Sequence, residues 1–478
     1  MIWLILTLAF LLRLITINQS LWLDEAININ VTKFLSYKSL VLNYSLGDFH
    51  PPLYHLILKS WILLFGSSEI SARLISVILG VATVFVTYLI AKKLFEKKTA
   101  LIAATLLATA PLHIYYSQEA RMYVLAGFLA SLSVYFFVAL LKNDILILWV
   151  GFILSTAFML YSDYLPYLLI PTYFVYLAIF KKNIAKSTLK CFIPAFIVIF
   201  LLLIPWLIVL PRQVQVGLSA AAASPAWAQV VGTPNIQNFL LTFVKFTIGR
   251  ISVDNNLIYF LLFLPIGLFV LFLSVLSIFR LSSLRSFLWF WLLTPIILGF
   301  VIGYFVPIFT YFRFIFVLPA FYIILSAGVR TINWVVSTRI LLIIVLVINL
   351  TAASLYFTVP KFQRENWRLA VSLIHKNSTP KTIVLFESNY SVAPFDYYNK
   401  DQVKTSGALS GFSADPNFIR DNIEKLTQDK DKVFLFQYLS GITDPAGLVF
   451  EELTKSGFKN ITTHNFNGVG FVYEFIRQ

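Results

Sequence analysis

The chain is poor in charged residues and contains a single cysteine. Only 12% of its 478 residues are Asp, Glu, Lys or Arg, whereas 59% are hydrophobic and the mean hydropathy is +0.82. Soluble domains carry about 25% charged residues, so this composition excludes a cytosolic enzyme, a disordered chain and a nucleic-acid-binding protein with a basic face. The lone cysteine, Cys191, excludes an internal disulfide and any cysteine-based zinc site.

The few charges are divided unevenly along the sequence. Positions 1–360 hold 23 of the 37 Lys and Arg residues but only 9 of the 22 Asp and Glu residues. Residues 361–478 are nearly neutral and have the composition of a soluble domain. We therefore expect a transmembrane body over 1–360, with long external loops at 18–71 and 211–256, and a small soluble extracytoplasmic α/β domain over 361–478.

Apolar segments of about 20 residues can cross the hydrocarbon core of a membrane. Eleven segments are predicted as transmembrane helices: 1–17, 72–91, 99–115, 123–141, 145–160, 165–180, 191–210, 257–279, 287–306, 311–327 and 340–358. The first has neither a basic start nor a small-residue cleavage site, so we expect a retained helix and not a removed signal peptide.

The basic residues also predict the orientation. Lys and Arg cluster in every second loop from position 92 onward, and the positive-inside rule assigns such loops to the cytoplasm. The sequence thus predicts a multi-pass plasma-membrane protein with a cytoplasmic N-terminus and an extracytoplasmic C-terminal domain.

Shorter patterns predict local structure outside the spans. Leu53 to Phe65 is typical of a helix lying in the membrane interface, and the small-residue run Ser219 to Ser224 of a flexible loop that orders over a substrate. In the C-terminal part, helices are expected at 367–376 and 417–428, and strands at 382–386, 433–438 and 469–475.

Most acidic residues of the body fall near the predicted external face. They are Asp24, Glu25, Asp48, Glu69, Glu119, Asp163 and Asp254. Carboxylates near lipid are costly and usually functional, which favours chemistry on the outer side. The alternative is that the external loops are simply better hydrated.

The motif "LWLDEA" places Asp24 and Glu25 directly after the first predicted helix. Two adjacent carboxylates can act as a general base and as a metal or hydrogen-bond partner, because proximity and burial separate their pKa values. The alternative is an ordinary helix start, where Asp caps and Glu occupies the first turn.

The motif "DFHPPLYHLIL" contains Asp48, which we expect to contact substrate, and His50, just before a helix. At that position His50 can bind a phosphate at the membrane surface or a metal; the alternative is an ordinary loop histidine. In "SSEISARLIS", Glu69 and Arg73 are four residues apart, which predicts a structural ion pair on one helix face.

The motif "YYSQEARMY" is predicted as a short external turn with dense polar content. Arg121 can hold an anionic headgroup, and Gln118, Glu119 and Tyr123 can orient a sugar hydroxyl or a metal. The alternative is that Glu119 and Arg121 neutralise each other. In "FTYFRFIFVLPAF", Arg313 can bind a lipid phosphate or merely extend to the interface.

The sequence contains no nucleotide-binding motif of the P-loop type, and no H-E-x-x-H or G-x-S-x-G motif. An activated donor must therefore reach an outward-facing site without a soluble nucleotide. A lipid-phosphate carrier, which enters from the bilayer, satisfies this condition and accounts for arginines at the outer surface.

Together these motifs resemble membrane glycosyltransferases of the GT-C fold, in particular the protein O-mannosyltransferases and the lipid A aminoarabinose transferase. The resemblance rests on "LWLDEA", "HPPLY", "YYSQEARMY", "IPWLIVLPRQ", "YFRFIFVLPAF" and "ENWRLAVSLI", and covers roughly residues 10–375. It implies a polytopic α-helical membrane enzyme that inverts the anomeric centre. The donor would be a polyprenyl-phosphate-linked sugar, and the acceptor a protein, lipid or glycan hydroxyl at the cell envelope.

The resemblance also implies roles for individual residues. Asp24 would be the general base with Glu25 assisting, and His50, Arg121 and Arg313 would bind the donor phosphate. Phe49 and His50 stand where relatives have a Glu-Lys pair, so no carboxylate is available there for a metal, and a divalent metal is left open as the only cofactor. Relatives carry a His-Tyr pair where this chain has Asp163, expected to bind substrate, and Tyr164.

The alternative function is a transporter or flippase of lipid-linked sugars. A carrier would need a polar site near the membrane midplane and paired broken helices in two halves. The acids of this sequence cluster at one face, which favours the transferase. No residue of the C-terminal domain is singled out by the sequence.

Overall fold

The computed structural model describes residues 1–332, 335–409, 411 and 415–478. Within these residues the first 358 positions are helical. The longer helices are Ile2–Leu14, Leu23–Phe34, Leu53–Phe65, Glu69–Leu94, Lys97–Thr109, Pro111–Ser117, Tyr123–Leu140, Leu146–Leu160, Leu169–Phe180, Lys186–Leu207, Leu210–Ala223, Pro225–Gly232, Ile236–Ile248, Asn256–Ile278, Ser283–Gly303, Leu318–Val329 and Val335–Thr358. Short helical turns lie at Tyr37–Ser39, Leu40–Tyr44, Ser45–Gly47, Leu165–Leu168, Lys181–Asn183, Tyr311–Val317 and Pro360–Phe362.

A helix lies at each of the eleven predicted spans. Among the described residues, seven helices are long and apolar enough to cross a membrane alone. Lys97–Thr109 and Pro111–Ser117, bent by 59° at Ala110, make an eighth span if taken together. The polytopic helical fold is therefore confirmed, while the exact count of eleven stays a prediction.

The basic loops predicted to be cytoplasmic come together at one end of the helical body. Arg280 and Arg330 both pair with Glu96, at 2.7 Å and 3.6 Å, and Arg285 donates to the carbonyl of Leu94 at 2.9 Å. The C-terminal domain docks at the other end, where Arg368 pairs with Glu69 at 2.6 Å. This polarity agrees with the charge pattern, and the direction in which the chain crosses a membrane stays a prediction.

Two local predictions have different outcomes. The helix Leu53–Phe65 has the predicted bounds. The run Ser219 to Ser224 was predicted as a flexible loop, which is wrong: the helix Leu210–Ala223 continues through it and ends only at Ser224. Alanine has the highest helix propensity of all residues, so the four alanines of this run favour helix.

The C-terminal part is a five-stranded sheet covered by helices on both faces. Its strands are β1 (Thr382–Ser388), β2 (Lys404–Leu409), β3 (Lys432–Phe436), β4 (Phe458–Phe466) and β5 (Gly470–Arg477). Their order is β2-β1-β3-β5-β4, with β2, β1 and β3 parallel and β5 antiparallel to β3 and β4. Its helices are Trp367–Asn377, Ala393–Asn399, Pro416–Thr427, Ser440–Thr443 and Leu448–Lys455, with a turn at Asn389–Ser391.

Every residue of the interior strand β1 is buried, as expected for a parallel strand with helices on both faces. On one face of the sheet, Phe386 of β1 and Phe436 of β3 pack against the ring of Trp367. Hydrophobic patterning predicted β1, β3 and β5 and two of the helices, whereas β2 and β4 were not predicted.

Candidate active site

Asp24 and Arg121 form an ion pair at the end of the body on which the C-terminal domain docks. The Oδ2 atom of Asp24 lies 2.6 Å from Nη1 of Arg121, and the Asp24 side chain is 32% exposed. Nη2 of Arg121 donates to the hydroxyl of Tyr123 at 3.2 Å, and the guanidinium lies over the ring of Trp22. Asp24, and not Glu119, is therefore the ion-pair partner of Arg121, although the charge of Arg121 also acts on Glu119.

Glu25 points the other way and is fully buried. Its carboxylate accepts hydrogen bonds from Nε and Nη2 of Arg73, at 2.8 Å and 2.5 Å, and from the backbone amide of Ala120 at 2.8 Å. Burial by itself would raise the pKa of Glu25, but the charges of Arg73 and Arg364 and these hydrogen bonds hold it below its usual value.

These contacts bear on two predictions. Glu25, expected to assist Asp24, anchors the first turn of the helix Leu23–Phe34, and its part in the reaction stays a prediction. The predicted pair of Arg73 with Glu69 is wrong, because Arg73 faces the interior and Glu69 binds Arg368. Neither carboxylate caps the helix, since Trp22 occupies the N-cap position.

Asp48 and His50 lie on the other side of Arg121. Nδ1 of His50 is 3.6 Å from Oδ1 of Asp48, and both side chains are mostly buried. Burial would raise the pKa of Asp48, but the hydrogen bond and charge of His50 lower it to about 2. The charges of Asp48 and Glu119, like that of Asp24, act on Arg121.

Arg313 completes the basic side of the site. It is partly buried, and its charge, like that of Arg121, acts on the ring hydroxyl of Tyr123. Among the described residues, neither the buried Nε of Arg121 nor that of Arg313 has a hydrogen-bond partner. Two guanidinium N–H groups without an acceptor are suited to bind an anion with several oxygens.

Gln118 and Glu119 are the next residues that were predicted to contact substrate. Gln118 is structural, contrary to the prediction: its Nε2 donates to the carbonyl of Arg13 at 3.0 Å and its Oε1 accepts from Tyr356 at 2.8 Å. Glu119 is 1% exposed, and neither of its oxygens is hydrogen-bonded within the described part of the chain. Burial raises its pKa to about 7.

Asp163 is also buried, and its Oδ1 accepts from the backbone amide of Tyr164 at 2.7 Å. The Tyr164 hydroxyl binds the side chain of Gln213, which in turn donates to the carbonyl of His50 at 3.2 Å. Asp163 therefore supports the His50 loop through two neighbours, and its predicted role in binding substrate stays a prediction.

Sequence reasoning missed Arg364 and Glu365 at the start of the C-terminal domain. Arg364 is 5% exposed, and its Nη2 donates to the carbonyls of Tyr115 and Gln118 at 3.2 Å and 3.0 Å. It also lies 3.9 Å from Oε2 of Glu25. Two adjacent charges shortly before Trp367 were the only local signal, and the partners of Arg364 are more than 200 positions away.

A metal ion at this site would need several His, Cys, Asp or Glu side chains close together. Among the residues described, no three His, Cys, Asp or Glu side chains come close enough together to hold a metal ion. Phe49, where the resemblance led us to expect no metal-binding carboxylate, packs against the ring of Trp227. The described residues therefore do not fit a metal.

A cavity of about 340 Å³ lies elsewhere, in the C-terminal domain, between the helix Trp367–Asn377 and Phe466. Its lining contains one charged residue, Lys376, and no carboxylate. It therefore lacks the groups that acid–base chemistry needs, and the Asp24–Arg121 pair remains the candidate active site.

Comparisons with known proteins agree with this fold. The family model of dolichyl-phosphate-mannose-protein mannosyltransferase matches residues 49–209. No curated protein sequence matches the chain. The chain is similar to ArnT from Cupriavidus metallidurans in the apo state, with 12% identity, a TM-score of 0.58, and 98% of this chain and 97% of that chain covered.

Two further crystal structures contain ligands. ArnT from Cupriavidus metallidurans bound to undecaprenyl phosphate is 11% identical, with a TM-score of 0.53 and coverage of 98% and 97%. The archaeal oligosaccharyltransferase AglB from Archaeoglobus fulgidus, in complex with an inhibitory peptide and a dolichol-phosphate, is 13% identical, with a TM-score of 0.59 and coverage of 99% and 74%. The resemblance predicted from the motifs is thus confirmed: this chain is a polytopic membrane protein with the GT-C fold of glycosyltransferases.

Proposed function

We propose that this protein is an inverting glycosyltransferase that moves a sugar from a polyprenyl-phosphate carrier to an acceptor hydroxyl on the outer face of the membrane. Asp24 is the general base. The observation that carries the proposal is the pairing of an exposed carboxylate with Arg121, a guanidinium whose Nε still lacks an acceptor among the described residues.

The two ends of Arg121 serve the two halves of the reaction. Nη1 orients Asp24, whose other carboxylate oxygen takes the proton of the attacking hydroxyl. The hydroxyl oxygen forms a bond to the anomeric carbon while the bond from that carbon to the phosphate oxygen breaks. The electron pair of that bond leaves with the polyprenyl phosphate, and the configuration at the anomeric carbon inverts.

The leaving phosphate gains negative charge, which the basic side of the site stabilises. The Nε groups of Arg121 and Arg313 donate to its oxygens, and His50 contributes a further donor when it carries a proton on the nitrogen that faces away from Asp48. Charge that develops in the transition state is stabilised most by donors already fixed in place. Similar structures hold undecaprenyl phosphate and dolichol-phosphate, which supports a lipid-phosphate carrier.

The proposal is tested first with Asp24→Asn. The variant should lose transfer by about 10²-fold or more, as expected when a general base is removed, and should keep its affinity for undecaprenyl phosphate in nanodiscs. Mass spectrometry of envelope glycans and lipids from a deletion strain measures transfer. Asp254→Asn is the matched control, since Asp254 is 88% exposed and pairs with Lys361 at the same end. Full transfer by Asp24→Asn would remove Asp24 from the mechanism.

The sidedness is tested separately with cysteine labelling. Cys191→Ser gives a cysteine-free chain, into which Asp254→Cys or Lys98→Cys is introduced. A membrane-impermeant maleimide applied to intact cells should label position 254 and leave position 98 unlabelled until the cells are opened. The opposite pattern would place the site in the cytoplasm. A flippase, the alternative function, would instead show translocated lipid-linked sugar and no Asp24-dependent glycosidic product.

A further inference from the structure

The carboxyl ends of β1 and β3 face the candidate active site. These strands are parallel neighbours, and the chain leaves β1 toward β2 on one side while β3 lies on the other. Ligands of open α/β sheets bind in the crevice at such a point, beyond the carboxyl ends of the strands. The segments that follow the two strands contact the body: Ala393–Asn399 packs on Leu23–Phe34, and Ser440–Thr443 contacts Pro225–Gly232.

Glu365 is held rigidly at this edge. Its Oε2 accepts a hydrogen bond from Nε1 of Trp367 at 2.6 Å, and the hydroxyl of Tyr438 lies 2.9 Å and 3.0 Å from its two oxygens. The turn at Gly468, where φ is +75°, packs against Glu365. A Cβ atom at Gly468 would lie 2.8 Å from Cγ of Glu365, so only glycine leaves room for this carboxylate.

Two independent contacts place Glu365 beside Asp24. The preceding residue, Arg364, reaches Glu25, which is the neighbour of Asp24. The hydroxyl of Tyr438 interacts with the backbone of Leu23, the neighbour on the other side. The charge of Asp24 acts on both Glu365 and Tyr438, which agrees with this proximity.

We propose that Glu365 and Tyr438 form an acceptor subsite opposite Asp24, and that the acceptor is a carbohydrate. The attacking hydroxyl meets Asp24 while a neighbouring hydroxyl of the same sugar binds Glu365. A single hydroxyl, as in a serine or threonine side chain, needs only the base. Asp24, Glu365 and Tyr438 together offer two carboxyl groups and a phenol, which match the hydroxyls of a polyol. The inference rests on the proposed function and adds the acceptor class to it.

The ionisation of Glu365 suits this role. It is partly buried, and burial raises its pKa to about 7, against the lowering effect of its hydrogen bonds from Trp367 and Tyr438. Near neutral pH the carboxyl group can therefore accept a hydrogen bond from a sugar hydroxyl or donate one to it.

The acceptor class is tested by linkage analysis of the product formed by the wild-type protein in an Asp24-dependent manner. Attachment of the new sugar to a sugar hydroxyl supports the proposal. Attachment to an amino-acid side chain or to a lipid hydroxyl overturns it while leaving the proposed transferase function intact. Absence of any Asp24-dependent product would instead refute the transferase function itself.

The residue is tested with Glu365→Gln and Tyr438→Phe in the full-length protein. Losing a hydrogen bond to a charged group should lower transfer about tenfold or more and leave undecaprenyl phosphate affinity within about twofold. Glu69→Gln is the control, because Glu69 also joins the two parts of the chain, through Arg368 and Tyr398. Unchanged transfer by Glu365→Gln would show that Glu365 is only a structural contact. So would a loss of both transfer and thermal stability in Glu365→Gln that the control Glu69→Gln matches.

Discussion

Arg73 donates two hydrogen bonds to the carboxylate of Glu25, whereas the preceding residue, Asp24, pairs with Arg121 and is partly exposed. Two adjacent acids therefore have different roles: Glu25 is a buried anchor and Asp24 is the proposed reactive group. The anchor matters for chemistry because a buried bidentate contact fixes the turn that carries the base.

Breaking this buried pair should destabilise the protein strongly. Arg73→Met or Glu25→Leu alone leaves an uncompensated buried charge, with an expected cost of about 3–5 kcal/mol. The double variant should recover part of that loss, since neither member of the pair is left without the other, while the nearby Arg364 still loses the carboxylate of Glu25. Thermal unfolding in nanodiscs measures both effects. Arg420→Met, at an exposed pair with Asp421, is the control; equal melting temperatures for all variants would contradict the anchoring role.

The donor phosphate should depend on the shape of Arg121 as well as its charge. Arg121→Lys can keep the contact with Asp24 but removes the Nε donor, so undecaprenyl phosphate affinity should fall about tenfold. Binding to the purified protein in nanodiscs is the measurement. Arg212→Gln, an exposed arginine at the same end, should bind normally. Wild-type affinity in Arg121→Lys would exclude Nε from the phosphate site.

The sequence predicted the parts of this protein that depend on local pattern. Apolar run length predicted the helices, and Asp24 was found because an acidic pair directly follows an apolar segment. The partners of these residues could not be found in the same way. Local spacing suggested Glu69 for Arg73, whereas the fold brings Glu25 from 48 positions away. Arg364 reaches Gln118 across 246 positions, a contact that no short-range rule contains.

The close packing of two helices gives a test of the fold itself. A Cβ atom on Gly328 would lie 1.9 Å from the carbonyl oxygen of Leu273, so the helices Leu318–Val329 and Asn256–Ile278 touch through their backbones. Gly328→Ala should push them apart at a cost of about 1–3 kcal/mol. Gly441→Ala is the control, because nothing lies within 4 Å of the added atom. An unchanged melting temperature for Gly328→Ala would contradict this packing.

The C-terminal domain should lose stability as the pH rises, through Glu387 at the end of β1. Burial, reinforced by the charge of Asp444, raises the pKa of Glu387 to about 8, although the Thr443 hydroxyl donates to its carboxyl group at 3.0 Å. In the unfolded chain the group titrates near 4.5. Between these two values the unfolded state releases the proton first, so rising pH favours unfolding, and the stability gained from protonation is lost as the pH passes about 8.

Glu387→Gln removes this pH dependence because it keeps the shape without the charge. The variant should be more stable than the wild type at pH 8, on the order of 4 kcal/mol, and nearly equal to it at pH 4.5. Hydrogen exchange of the β1 amides in the full-length protein, corrected for the intrinsic effect of pH on exchange, measures the difference. Glu424→Gln, on the exposed face of the helix Pro416–Thr427, should behave as wild type. Equal protection of the β1 amides in Glu387→Gln and wild type at pH 8 would show that ionisation of the buried carboxyl group does not destabilise the domain.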